Sequence, residues 1–446
     1  MMLKTRLLLA GATFASMGLA LSVATAAAAQ TELANAESAQ TESGQTESTK
    51  AAPAKTVAAA EEESTANEII VTAQKRAQNV QDVPISMGVV SGSMLEKFTT
   101  NDLKGIANFV PNVYVQTTAG NNVIYIRGFG SPPANFGFDQ AVSLYVDGIY
   151  AGKSRQSQQP FFDIERVEVL RGPQGALFGK NTAAGAVSVV SAKPTSHTEA
   201  SLNTLYNFDQ AGFETWGYFS GPVTDTLGVR LALKFTAQDG YITNQFNGAK
   251  EPKNDEQLGR LTIKWEPSAN FDLTAIADYG NHDVTGGSNV SSSLTGPQDP
   301  HDTRFLTPSS LGQEGTSTES LMLSATANWR IGDYTITSVT GWSQFNSNII
   351  NGFDQTIPSG GYTTNSVFNS FPEDFSQFSE ELRLSSPAGE KFEYIVGLYY
   401  DNSDYHLTQL GGFDIPALGS GLIDHSQKMT VAAMQMADMK VWAHRS

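Results

Sequence analysis

The 446-residue chain has no cysteine, which excludes disulfides, thiolate nucleophiles and cysteine-based metal sites. It is also poor in positive charge: 28 Lys and Arg stand against 45 Asp and Glu, a formal charge of −17. Nucleic-acid binding relies on cations that displace condensed counterions, so this balance argues against a nucleic-acid partner. The six histidines are scattered and form no His-Glu-x-x-His pattern; His301-Asp302 reads as a solvated loop, and no metal site is expected. The stretch from Gly175 to Asn181 is one residue short of a phosphate loop between its glycines. It also has Asn181 where Mg²⁺ chemistry needs Ser or Thr. No carboxylate pair is marked as catalytic, so neither an enzyme nor a cofactor is expected. Beyond residue 29 there is no long uninterrupted apolar run, so any further membrane crossing must be by strands.

What is present is ample apolar surface, with 40% hydrophobic residues, 24 Phe and 14 Tyr, enough for folded domains. Residues 1–29 have a basic start at Lys4 and Arg6, an apolar stretch from Leu7 to Val23, and small residues at Ala27, Ala28 and Ala29. That is an export signal with cleavage expected after Ala29; its apolar core is shorter than the ~20 residues of a membrane anchor. Residues 30–67 are almost entirely Ala, Glu, Ser, Thr and Gln, with two near-copies of Gln-Thr-Glu-Ser beginning at Gln40 and Gln45. They have too little to bury to offset chain entropy and are expected to form a disordered tether.

Glu68, Ile69, Ile70, Val71, Thr72 and Ala73 break that pattern with a short β-branched run, followed by Lys75 and Arg76. One reading makes it the first edge strand of the next domain. The other makes it an extended peptide that adds itself to another protein's sheet through backbone hydrogen bonds. Residues 80–195 then read as one α/β unit of ordinary domain size. A strand is expected at residues 83–90 and helices at 93–98 and 101–108, the first capped by Ser93 with Glu96 three residues on. Further strands are expected at 122–127, 143–146, 167–170 and 186–190, set between glycine-containing turns.

Across residues 196–425 the texture becomes two-residue alternation. Leu231, Leu233 and Phe235 alternate with Arg230, Lys234 and Thr236; Leu261, Ile263 and Trp265 alternate with Arg260, Thr262 and Lys264. Alternation alone also fits a β-sandwich. The breaks decide: short turns at 266–270, 331–333 and 386–390 take turns with long polar loops at 239–255, 280–318 and 347–375, as in an outer-membrane barrel. Trp265, Tyr279, Trp329 and Trp342 lie near strand ends, where interfacial aromatic girdles form.

Several of these residues together resemble the TonB-dependent outer-membrane receptors. Residues 68–73, within a segment 68–76, resemble the TonB box. Ile126-Arg127-Gly128-Phe129, Tyr145-Val146-Asp147-Gly148 and the run from Ile164 through Glu165, Arg166, Glu168, Arg171, Gly172 and Gly175 resemble the plug signature, together with Gly179, Asn181 and Gly185. The resemblance implies a mixed α/β plug domain followed by an antiparallel transmembrane β-barrel of about 22 strands in the cell outer membrane. It implies import of a scarce ligand, most often a ferric siderophore, energised by the inner-membrane complex through TonB bound at the box, with outer-membrane lipid around the barrel. Ligand contact would fall on the loop containing Phe129, Phe136 and Phe138. The glycines read as turn and close-approach positions. The charges Arg127, Glu165, Arg166, Glu168 and Arg171 read either as a surface run or as members of a plug-to-barrel ion-pair lock whose partners the inward-facing Glu381 and Arg383 could supply. A passive porin or surface-binding barrel is the alternative, but it gives no reason for a tethered strand or a plug. At ~10 residues per strand plus loops, the barrel portion holds about nine or ten strands, so the barrel is expected to be incomplete. Residues 426–446 form an atypical tail, with Met429, Met434, Met436 and Met439 close together.

Overall fold

The computed structural model describes residues 69–118, 121–132, 139–244, 247–287, 303–304, 313–352, 366–389, 392–414 and 440–445. The export segment, the tether, Glu68, Phe136, Phe138 and most of the tail lie outside the described residues.

The plug begins with a hairpin in which β1 (Ile70–Val71) pairs antiparallel with β2 (Gln78–Asn79). Its body comprises β3 (Met87–Ser91), α1 (Gly92–Lys97), α2 (Leu103–Ala107), β4 (Val113–Thr118), β5 (Asn121–Ile126), β6 (Val142–Val146), β7 (Ile149–Ala151), β8 (Ile164–Arg171), α3 (Gly175–Phe178) and β9 (Gly185–Ser191). Five of these strands make one mixed sheet in the order β3-β8-β9-β6-β7, in which only β6 and β9 run parallel. The central strands are buried on both faces, so their sequences read as near-continuous apolar runs. Val167, Val169, Val187 and Val189 pack on the α1 and α2 side with Leu95 and Ile106, whereas Leu170 and Ala186 pack on the opposite face with Tyr145 and Tyr150. The first helix is capped two residues earlier than expected. Ser91, in extended backbone, accepts from Met94 N, and Ser93 lies inside the helix. The first sheet strand starts only at Met87 rather than at 83, because Pro84 has no N–H to give a ladder.

The remaining strands are β10 (Glu199–Asn207), β11 (Gly212–Thr224), β12 (Leu227–Gln238), β13 (Ile242–Asn244), β14 (Lys250–Glu251), β15 (Lys253–Ser268), β16 (Phe271–Thr285), β17 (Thr303–Arg304), β18 (Gly315–Ile331), β19 (Tyr334–Gly352), β20 (Ser366–Ser385), β21 (Tyr394–Leu407), β22 (Leu410–Asp414) and β23 (Lys440–Arg445). Ten of them form one antiparallel meander, β10-β11-β12-β15-β16-β18-β19-β20-β21-β23, with β22 added on β20. The short turns fall where the sequence places them. The long loops are shorter than expected, because β16, β19 and β20 continue well into them, to Thr285, Gly352 and from Ser366. In those extensions Ile349, Phe371 and Phe375 turn inward and cluster with Phe345, Tyr405 and Leu407, so the apolar-out, polar-in alternation breaks down while the backbone ladder runs on. Strand texture also returns inside the tail, as β23.

This sheet inverts the rule of a water-soluble fold. Arg230, Lys234, Thr236, Arg260 and Thr262 are buried on its inner face, whereas Leu261, Trp265, Leu323, Phe378, Leu382 and Leu398 are exposed on the other. Across seven adjacent strands one ladder row reads Glu214, Thr236, Glu256, His282, Thr318, Ser347 and Glu373. An apolar outer face of this extent is costly in water and suited to lipid, and the polar inner face needs partners. The plug supplies them. No helix among the described residues is long and apolar enough to cross a membrane.

Candidate functional site

Residues 69–76 are seated between plug and barrel. The Gln78–Asn79 strand folds back on Ile70–Val71, and Lys75 N closes the turn on Thr72 O at 2.9 Å, with Lys75 itself at φ +60°. The side chains of Val71 and Ala73 are fully buried against Tyr145, Tyr150, Leu170 and Ala186. Thr72 gives its backbone N–H to Glu168 Oε1 at 2.9 Å and its hydroxyl to the same oxygen at 3.2 Å. Lys75 Nζ reaches Glu381 Oε2 on the barrel wall at 3.2 Å and lies 5.4 and 5.0 Å from the Tyr145 and Phe178 ring centroids. Burial pushes the Lys75 ammonium below its usual pKa, and Glu381 opposes that shift. Arg76 pairs with Glu393 at 3.0 Å and donates to Tyr394 O.

The plug signature residues have mostly internal duties. Asp147 and Gly148, at φ +49° and +85°, make the two-residue turn joining β6 to β7, the left-handed pair such hairpins require. The Asp147 carboxylate accepts from Ser191 N at 2.8 Å and Ser191 Oγ at 2.7 Å, tying that turn to the end of β9. Gly185 sits at φ +152°, and a Cβ there would come within 2.4 Å of Leu170 O. Glu165 and Glu168 both pair with Arg166. Gly128, Gly172 and Gly179 also occupy left-handed backbone, whereas Gly175 opens α3.

The expected plug-to-barrel lock is made by other residues. Among the described residues Arg127 and Arg171 form no ion pair: Arg127 donates to Ser86 Oγ at 2.9 Å, and Arg171 to the carbonyls of Met87 and Pro111. Those carbonyls, on and next to the plug's own edge strand, hold the two terminal nitrogens of the Arg171 guanidinium within the plug. Glu381 is left to Lys75 and to Arg383, its neighbour two positions along the strand. Besides Lys75–Glu381 and Arg76–Glu393, the plug-to-wall bridges among the described residues are Asp163 with Arg230, Arg155 with Glu373, and Lys180 with Asp401. Asp163 takes Arg230 Nε at 2.9 Å and Nη2 at 2.5 Å, and Arg260 donates to the carbonyls of Phe162 and Asp163 at 2.7 and 3.1 Å. The Arg155–Glu373 pair is nearly solvent-free, and Tyr405 donates to the same carboxylate. Inward alternation at Arg230 and Arg260 was the one available signal for these contacts. Nothing in the sequence marks Arg155, Asp163 or Lys180.

Phe129 is 72% exposed at the plug surface, its backbone bonded back to Ile126 at the end of β5. Phe136 and Phe138 lie outside the described residues. No group of side chains that could hold a metal ion occurs among the described residues.

Residues 79–186 match the model of the family described as TonB-dependent Receptor Plug Domain. The chain carries the plug domain of the TonB-dependent receptors. It is 28% identical over 267 residues to the vitamin B12 transporter BtuB of Vibrio vulnificus, covering 54% of this chain and 43% of that protein. It is 24% identical over 377 residues to the pesticin receptor of Yersinia pestis, covering 80% of this chain and 50% of that receptor. Among solved structures, the ferric yersiniabactin uptake receptor FyuA from Yersinia pestis superposes with a TM-score of 0.62 at 20% identity, over 75% of this chain and 50% of that one. The ferric preacinetobactin receptor BauA from Acinetobacter baumannii gives 0.61 at 18% identity, over 80% of this chain and 53% of that one. The chain thus spans about half the length of the relatives it matches. Its fold is plug followed by outer-membrane barrel strands, and its location is the Gram-negative outer membrane.

Proposed function

We propose that this chain is the plug and leading barrel portion of a receptor that imports a ferric siderophore into the periplasm, energised through TonB at residues 68–73. The observation that carries the reading is the seated strand: a short extended segment, joined to an Ala, Glu and Ser-rich stretch, rests on a plug that occupies the polar face of a barrel sheet. A passive pore has no use for it. A pulled strand has, because force on the N-terminal side reaches the plug directly through β1 and its partners, and backbone pairing lets an outside sheet edge grip it. The ferric siderophore receptors among the structural neighbours support the cargo, and the 28% identity to a vitamin B12 transporter favours a corrin as the second reading. Ligand contact is assigned to Phe129, Phe136, Phe138 and the long barrel loops. Deleting residues 68–73 from the complete receptor is expected to abolish uptake while surface ligand binding survives; unchanged uptake would refute energised import. Growth of a gene-deletion strain with and without iron limitation separates siderophore from corrin.

A further inference from the structure

The apolar outer face of the barrel sheet is interrupted by a carboxylate. Glu381 of β20 faces inward, where it meets Lys75, so Glu380, the residue before it, faces the lipid. Its neighbours along that side of the strand, Phe378, Leu382 and Leu384, are all exposed. Two hydroxyls on β19 hold the carboxylate: Ser338 Oγ donates to Oε1 at 2.7 Å and Thr340 Oγ1 to Oε2 at 2.6 Å. Both donors are neutral, and among the described residues Glu380 forms no ion pair. The charge is held in place but not balanced. Hydrocarbon offers a carboxylate neither donors nor counter-charge, so an ionisable side chain within the apolar belt is costly to keep and marks a function. The surface beside it is low. One ladder row runs from Ala275 through Ala325 and Thr340 to Glu380, and the next row toward the short turns holds Ala327 and Ser338. Bulkier rows bound these two, with Leu323, Trp342 and Phe378 on the long-loop side and Trp329, Ile336 and Leu384 on the short-turn side. A shallow groove thus crosses four strands and ends at a negative charge.

We propose that this groove is a docking site for a second outer-membrane protein, which places a Lys or Arg against Glu380. In membranes, small side chains let backbones approach closely and polar groups bind across the contact. Charge complementarity selects the occupant. A lipid tail cannot neutralise the carboxylate. A second copy of the chain cannot either, because the cations of β12, β15 and β20 within the belt, Arg230, Lys234, Arg260 and Arg383, lie on the inner face. An incoming cation meets a carboxylate already fixed by two hydroxyls, so little side-chain freedom is lost on pairing.

Two settings, each with the complete receptor, separate docking from a structural role. In native outer membranes, p-benzoylphenylalanine in place of Trp342 is expected to give a discrete protein adduct on illumination, and the cross-linked segment of the partner carries a Lys or Arg. Glu380→Gln is expected to lower the adduct yield about tenfold, as fits loss of one charge-assisted contact, and Glu380→Lys to abolish it. Replacing the partner's cation by Glu in the Glu380→Lys background should restore the adduct. In neutral phosphatidylcholine vesicles, where no partner is present, Glu380→Leu should partition from urea about tenfold more favourably than wild type, because only the cost of the charge remains. No adduct, adducts to lipid alone or to a second copy, a partner segment without a cation, or a yield unchanged by Glu380→Gln would each overturn the docking site. So would weaker insertion of Glu380→Leu, since the carboxylate would then serve the barrel's own fold through Ser338 and Thr340.

Discussion

Replacing Asp163 by Asn tests whether the plug is held to the barrel by buried charge. Asp163 sits at the corner entering β8 at φ +51°, and Asn tolerates that left-handed backbone, so the change removes charge with little strain. It leaves the Arg230 guanidinium, 7% exposed, with only Glu199 at 3.6 Å as a carboxylate partner. Breaking one side of a buried pair costs about 3–5 kcal/mol, and the residual Glu199 contact puts this case at the low end, about 3 kcal/mol. With a urea slope of about 1–3 kcal/mol per molar for a unit of this size, the plug's unfolding midpoint should fall by roughly 1–3 M. The assay is thiol modification of Val189→Cys across a urea series, in the barrel-bound protein. Adding Arg230→Met to Asp163→Asn should recover most of the loss, since removing both charges leaves nothing uncompensated. A midpoint equal to wild type in Asp163→Asn, or a double variant weaker than the single, would refute the anchor.

Other consequences are accessible to the same assay. Gly92→Ala should destabilise the plug by a few kcal/mol in the urea series, because an added Cβ would fall 1.7 Å from Ile164 O, which is backbone and cannot yield cheaply. Glu96 is held above its ordinary pKa of 4.5, first by desolvation and then by the neighbouring Asp163 carboxylate. The folded plug therefore binds the more protons as pH climbs from 4.5 through the raised value, and stability is lost over that window. Glu96→Gln should flatten this dependence, and an unchanged pH profile between pH 4 and 8 would count against it. Leu323→Arg, on the exposed outer face of β18, should impair membrane insertion by about 2–4 kcal/mol, measured by partitioning between lipid vesicles and urea. The inward Ser324→Arg should fail differently, by displacing the plug.

How much was legible follows from which interactions are local. The period-two alternation at Leu231, Leu261 and Leu323 announced strands because the side-chain period is a property of the strand itself. Which face was buried was not given by alternation, since it reads the same for a sandwich; the turn lengths supplied that. Asp147 and Gly148 were legible as a turn because their left-handed backbone is a local demand. The Thr72–Glu168 contact was invisible, because it joins residues 96 positions apart and follows from sheet order. The lock failed for the same reason. Arg127 and Arg171 had the right charge, but charge does not say that the carbonyls of Met87 and Pro111 hold Arg171 within the plug. Ser91 displaced Ser93 as the cap because the extended backbone ends two residues earlier than the hydrophobic pattern suggests.

The most direct test of a backbone-gripped strand compares Val71→Pro with Val71→Ala in the complete receptor. Proline removes the N–H and blocks pairing, whereas alanine only trims the side chain. Uptake should vanish in Val71→Pro and persist in Val71→Ala, with surface ligand binding intact in both. Full uptake by Val71→Pro would contradict the account at its centre.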